Sequence, residues 1–152
     1  MTREQQLEAI LGVCRGESFA VFAFAGAAGG DPPYSAVMFF AETPDARLLF
    51  ATSPGALKGR YLDPGNGACA QIDTRGVGLV NMSQFARVTV QGRLRKVEAP
   101  AERAELLAIY FAKLPNAKAF VERPGVELFV LEPRFAVCAR GLFERFELDF
   151  GA

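Results

Sequence analysis

The chain has 152 residues, of which 51% are hydrophobic, and its 17 basic and 17 acidic side chains leave no net charge. A chain of this length is most simply one domain, residues 1–152, with a core large enough to fold without disulfides. The balanced charge excludes the basic field of nucleic-acid-binding domains, and the absence of histidine excludes Ser-His-Asp and Cys-His catalysis and most zinc sites.

The first elements are a helix and a hairpin. Thr2 and Gln5 fit a capping box, and the apolar residues that follow, as far as Cys14, recur at helical spacing. Residues 19–24 are rich in aromatic and β-branched side chains and predict a strand. Glycine, aspartate and proline then form a turn, so residues 34–40 are expected to be the returning strand of a hairpin.

The next stretch combines a strand with a basic segment. Residues 48–51 are uniformly apolar, which is typical of a strand covered on both faces. Ser53 is a suitable helix cap and Pro54 a suitable first helical residue, and the short helix would then carry Lys58 and Arg60. Free N–H groups beside a lysine favour an anion. The alternative is an ordinary connection with solvated basic side chains.

Two further strands follow, separated by a loop. Residues 68–72 are mostly apolar, and 73–83 contain glycines without the lysine of a phosphate-binding loop, which predicts a flexible connection. In residues 84–97, apolar side chains alternate with polar ones that include Arg87 and two further arginines. Alternation predicts one core face and one cationic face. The cationic face is either solvated or a second arm of the anion site.

The last third predicts helices and more strands. Pro100 is placed to begin a helix with an apolar stripe as far as Leu114, and 117–121 can add one more turn. Residues 126–131 are apolar on both faces, as in a central strand, and 135–148 complete the sheet. About six antiparallel strands with helical additions make the fold mainly β, of the α+β kind: a closed or split antiparallel β-barrel with flanking helices.

The cysteines and the apolar runs predict a cytoplasmic protein. The three cysteines are far apart in apolar sequence, which is typical of reduced thiols in a reducing compartment. The longest uncharged apolar run, 19–28, is shorter than the roughly 18 residues of a membrane helix, and the first residues are polar rather than leader-like. We expect a small-molecule partner and neither nucleic acid nor membrane.

Three segments in order carry a resemblance to a known family: PYSAVMFF, then RLLFATSPGALKGRYLDPGNGACAQID, then ARVTVQGRLRKV. With FAKLPNAKAFVERPGVELFVLEP they are similar to the pyridoxamine 5′-phosphate oxidase-like split-barrel flavoproteins, and most of all to the small bacterial members. The resemblance implies an FMN-binding homodimer with its cofactor sites between subunits.

Carried over by position, the resemblance gives Thr52 and Lys58 contacts to the FMN phosphate or ribityl chain. It gives Arg87 a polar flavin contact and places the backbone of Ala36, Val37 and Met38 along the isoalloxazine ring. The local anion pattern adds Ser53 and Arg60. Where the family has Ser-Arg before the lysine this chain has Ala56-Leu57, and Ala36 replaces a strand arginine, so two phosphate cations are absent. Arg60 is the candidate substitute.

The expected function is that of an FMN-dependent oxidoreductase acting on a small molecule, in which the flavin carries the chemistry. No catalytic residue and no metal ligand is assigned. The vitamin-synthesising activity is not expected, because its Arg-x-His motif is absent from the C-terminal ERFELDFGA. The alternatives are a non-enzymatic barrel that binds flavin or another planar ligand, a deazaflavin-using relative, or a haem-utilisation relative.

Overall fold

A computed structural model describes residues 1–26, 30–53, 55 and 58–151, with the backbone alone at Lys58. The helices are α1 (Arg3–Gly16), α2 (Arg75–Gly78), α3 (Pro100–Lys113) and α4 (Lys118–Val121), with 3-10 turns at Lys58–Tyr61, Met82–Gln84 and Pro115–Ala117. The strands are β1 (Phe19–Phe24), β2 (Tyr34–Phe39), β3 (Ala41–Glu42), β4 (Leu48–Thr52), β5 (Gly67–Asp73), β6 (Ala86–Lys96), β7 (Glu127–Arg140) and β8 (Glu144–Asp149).

All eight strands form one antiparallel sheet in the order β2-β1-β5-β6-β7-β4-β3, with β8 also paired to β7. One edge of β7 pairs with β6 along its length, and the other is shared by β4 at the start and β8 at the end. This arrangement is the curled, incompletely closed antiparallel barrel that the sequence predicted. The strand count is eight rather than about six.

Two apolar clusters hold the sheet and helices together. The larger lies inside the curl and packs α1 against aromatic rings, with Phe50 stacked 5.5 Å from Phe129 and 4.7 Å from Phe22. The smaller lies on the other face, where Leu49 of β4 meets α3 and α4. Because neighbouring residues of β4 enter different clusters, the strand is covered on both faces, as its uniform apolarity predicted.

Local predictions at the chain start are confirmed and two later ones are corrected. Thr2 Oγ1 accepts from the Gln5 backbone N–H at 3.1 Å, and Gln5 Oε1 accepts from the Thr2 N–H at 2.8 Å, which completes the capping box. Residues 73–83 are not simply a loop, since they contain α2. The segments 126–131 and 135–148 are not separate strands broken at Pro133, because β7 runs through it.

None of the helices in the described part of the chain combines the length and the apolar character that a membrane span needs.

Candidate functional site

A cleft of about 560 Å³ lies between the sheet and the end of α3. Strands β2 and β4 form one wall, and residues 110–120, from α3 into α4, form the other. Its size falls within the range of roughly 300 to 1,000 Å³ that is usual for small-molecule sites. Among the cavities found in the described part of the chain, this one brings together residues that the family resemblance predicted as ligand contacts.

The β2 wall follows the alternation of a strand. Val37 and Phe39 point outward and are exposed, while Met38 is buried and still borders the cleft. Ala36 packs on the core instead. Of the three β2 residues predicted to line the flavin, Val37 and Met38 border the cleft and Ala36 does not. Exposed apolar side chains beside a concave surface are typical of a binding site.

The β4 wall ends in Thr52, which is buried and borders the cleft. Ser53 follows it and is exposed. Tyr110 closes the floor from α3; burial raises the pKa of its phenol, and a hydrogen bond with the Ala51 backbone opposes that rise. A phenol is neutral at physiological pH even at its ordinary pKa, and the rise only strengthens this, so Tyr110 contributes a polar but uncharged group.

Lys113 is the one charged side chain among the described residues that line the cleft. Its Nζ lies 2.8 Å from Glu42 Oε2, donates to the Cys14 carbonyl at 2.9 Å and sits 3.9 Å from the centre of the Phe40 ring. The positive charge is therefore already matched by a carboxylate and a ring face. A ligand in the cleft meets walls that are largely apolar and close to neutral.

The opposite wall was not assigned to a site from the sequence. It is built from Leu114, Pro115, Asn116, Ala117 and Phe120, of which Phe120 is exposed despite its size. The sequence predicts these residues as the end of one helix and a further turn, which is confirmed. Nothing in that pattern says that the turn lies opposite β2 and β4, because this depends on how α3 packs.

The predicted anion segment is only partly within the described residues. Pro54, Ala56 and Leu57 lie outside them, and at Lys58 the side chain does, so the predicted helix start and the lysine contact are not described. Arg60 is exposed and has a carboxylate partner, Asp31, at 3.6 Å. Arg60, the residue predicted to replace the absent phosphate cations, thus forms a weak ion pair with the connection between β1 and β2.

Arg87 is not brought to the cleft within one chain. It pairs with Ala139 near the end of β7, whereas Thr52 pairs with Glu127 at its beginning. At about 3.3 Å per residue the two positions are roughly 40 Å apart along the strand. In the described structure Arg87 is exposed at the far end of the sheet.

No protein-family model and no curated protein matches the chain. Solved structures do match. A heme-binding protein from Mycobacterium smegmatis has a TM-score of 0.78 at 18% identity, over 98% of this chain and 58% of that one. A protein from Clostridium acetobutylicum related to general stress protein 26, of the pyridoxinephosphate oxidase family, scores 0.66 at 14% identity, over 97% and 96%. An FAD-binding protein from Mesorhizobium loti scores 0.66 at 18%, over 93% and 94%.

These likenesses confirm the predicted fold, a split barrel shared with proteins of the pyridoxinephosphate oxidase kind. The chain spans little more than half of the mycobacterial protein and nearly all of the other two. The neighbours are described as binding different planar groups, haem in one and a flavin in another. At these identities the likenesses establish the fold alone, so what this chain binds must be argued from its own residues.

Proposed function

We propose that the chain binds FMN in the cleft between β2, β4 and residues 110–120, and that it acts as an FMN-dependent oxidoreductase on a small molecule. One observation carries the proposal. Val37 and Met38 of β2 and Thr52 of β4 were each predicted as flavin contacts, and all three border one cleft. When bound, FMN supplies hydride or electron transfer, and the protein positions it and limits access of water.

The cleft fits the ring of a flavin better than its phosphate. Apolar side chains face each other across it, and the one described cation that borders it is paired with Glu42. A neutral planar ring loses little hydration in such a cleft. A phosphate would lose much more, and it would meet no described cation that is free of a carboxylate partner. The phosphate is accordingly assigned to the rim, beyond Thr52, where Ser53 is exposed and Lys58 follows in sequence.

A homodimer would complete this site. Val37, Phe39 and Phe19 are large, apolar and exposed beside the cleft, and the rings of Phe19 and Phe39 are 4.4 Å apart. β2 ends the strand order, so this is an edge that a protein normally covers. Arg87, distant within one chain, can serve the flavin only from a second copy. Sedimentation of the protein at twice the monomer mass is expected, and a monomer that binds FMN fully would contradict this part.

The direct test of the cofactor is optical. The protein should be yellow as purified, or should give a saturable flavin spectrum on titration with FMN. Ala117→Leu fills the cleft from the far wall and should weaken FMN binding at least about tenfold, since added methyl groups must displace the ring. The matched control is Ala101→Leu, an exposed residue of α3 outside the cleft, which should leave affinity unchanged.

A second candidate is a barrel that binds haem or another planar ligand without catalysis. The apolar walls favour it as much as they favour a flavin, and one structural neighbour is described as heme-binding. Adding NADH or NADPH to the FMN-loaded protein separates the two. Bleaching of the bound flavin followed by recovery with an electron acceptor supports the oxidoreductase. Bound flavin that no donor reduces, or haem bound more tightly than FMN, supports the second candidate.

A further inference from the structure

A second concave surface lies away from the cleft, on the outer face of β1, β5, β6 and β7. It is a groove of about 470 Å³ that shares no lining residue with the cleft. Cross-strand neighbours Ala23, Cys69 and Gln91 lie along its floor. Because the side chains of Ala23 and Cys69 are small, the floor is low at these two positions. Arg93 and Arg134 border the groove. We call it the Arg93–Arg134 groove.

An irregularity in the sheet places Arg134 there. The register of β6 against β7 shifts between Gln91, which pairs with Phe135, and Gly92, which pairs with Pro133. Arg134 is therefore the extra residue of a β-bulge, and bulges re-aim side chains. Its carbonyl accepts from the Phe150 N–H at 2.9 Å, which holds the bulge in place.

Gly92 permits this close approach of the two strands. A Cβ at that position would lie 1.9 Å from the Glu132 carbonyl oxygen, so no side chain fits without moving the backbone. At the other side of the groove, Arg93 Nη1 lies 3.6 Å from where a Cβ on Gly67 would stand. The guanidinium thus covers a position that has no side chain, and the groove stays open beside it.

The two arginines share the groove without a counter-charge. Within the described residues neither has a carboxylate within 4.0 Å, and Arg93 Nη1 has only the Gly65 carbonyl, at 3.4 Å. The next arginine along β6 is different, since Arg95 contacts both Glu102 and Glu132. Because both arginines border the same groove, an anion bound there would be attracted by both guanidiniums and would compete with no described carboxylate.

We propose that the Arg93–Arg134 groove is a binding site for a small ligand with a doubly charged oxyanion, such as a phosphate monoester, on a compact apolar body. The guanidiniums hold the oxyanion, and the small side chains of Ala23 and Cys69 on the floor accept the apolar part. This site is separate from the cleft, so it does not depend on the identity of the ligand bound there.

The test is calorimetric titration of the whole protein with inorganic phosphate and with phenyl phosphate, in chloride buffer at constant ionic strength. Saturable binding of one ligand per chain is expected, with phenyl phosphate the tighter of the two. Arg93→Gln and Arg134→Gln should each weaken it about tenfold or more, because each removes a charged hydrogen-bond donor. Both residues are exposed, so the variants should fold, as melting curves can verify.

The matched control is Arg123→Gln, an exposed arginine outside the groove for which the described structure gives no side-chain partner. It should leave both affinities unchanged. The proposal is overturned if neither probe binds saturably, or if all three variants weaken binding equally, which would mean general charge attraction. It is also overturned if Arg134→Gln weakens FMN binding in parallel, since the groove would then belong to the flavin site.

Discussion

Replacing Lys113 by methionine tests how the cleft wall is held. Lys113 ends α3, and its Nζ contacts Glu42 at 2.8 Å and the Cys14 carbonyl at 2.9 Å, which ties the helix to β3 and to α1. The side chain of Lys113 is 16% exposed and that of Glu42 is 9% exposed. Methionine keeps the length and packing of the stem and removes only the charge.

The expected cost is about 3 kcal/mol of the free energy of unfolding. Most of it comes from Glu42, whose carboxylate would remain largely buried without its cation. The residual exposure of Lys113 places the value at the lower end of the range measured for buried pairs, because water can reach the site. Urea or guanidinium unfolding gives the number, and titration with FMN shows whether the cleft loosens with it.

The control is Lys118→Met. Lys118 and Glu122 form an exposed pair at 3.8 Å, and its loss should cost no more than about 0.5 kcal/mol. The double variant Lys113→Met, Glu42→Leu removes the orphaned carboxylate and should recover much of the loss. If Lys113→Met is as mild as Lys118→Met, the ion pair does not hold α3, and the apolar contacts of Leu106 and Tyr110 must do so alone.

Three further outcomes are expected. In an equilibrium titration, Lys58→Ala should weaken FMN binding by about 1.5 to 3 kcal/mol, because a hydrogen bond to a charged group is lost. Unchanged affinity would mean that Lys58 does not contact the FMN phosphate. Gly92→Ala should lower the unfolding free energy by about 2 to 3 kcal/mol, since its Cβ would meet the Glu132 carbonyl, whereas Gly12→Ala in α1 meets nothing and should stabilise slightly. Burial raises the pKa of the Cys14 thiol to about 12 and also raises that of Cys138, so a thiol reagent near neutral pH should label neither until denaturant is added; rapid labelling of Cys14 or Cys138 in the native protein would contradict their burial.

The strands and the main helices could be predicted because each carries a local signal. The capping box at Thr2, the hairpin of β1 and β2 and the alternation of β6 need only neighbours in sequence. The two-faced burial of β4 could be predicted in the same way, since an apolar run without alternation requires a layer on each side.

The continuity of β7 could not be predicted, for a reason located at Pro133. Proline lacks the N–H that a ladder needs and usually ends a strand. Here it stands beside the bulge at Arg134, where the pairing with β6 is already irregular, so the strand passes through it. The bulge in turn depends on Gly92, which precedes Pro133 by 41 residues, and a contact at that separation has no local signature.

The site was predicted on one side only, because the resemblance assigned flavin contacts to strands and to the segment after β4, and it gave no contact to the residues from Leu114 to Phe120. Val37 and Met38 lie on β2 and Thr52 on β4, near opposite ends of the strand order, and the curl of the sheet brings them to one cleft. The wall from Leu114 to Phe120 depends instead on the docking of α3, which the smaller apolar cluster and the Lys113 ion pair fix. Neither contact leaves a sequence pattern beyond an apolar stripe and one lysine.

Charge distribution, more than volume, separates the two concave surfaces. Both are of similar volume and both have apolar floors. In the cleft the described cation, Lys113, is matched by Glu42, so placing an anion there would require breaking an existing pair. In the groove Arg93 and Arg134 have no described carboxylate partner, so an anion there gains attraction at the cost of hydration, its own and that of the guanidiniums, without breaking an ion pair. The positions of the carboxylates therefore favour a planar neutral ring in the cleft, where Glu42 pairs with the lysine, and an oxyanion in the groove, where the arginines have no described carboxylate partner.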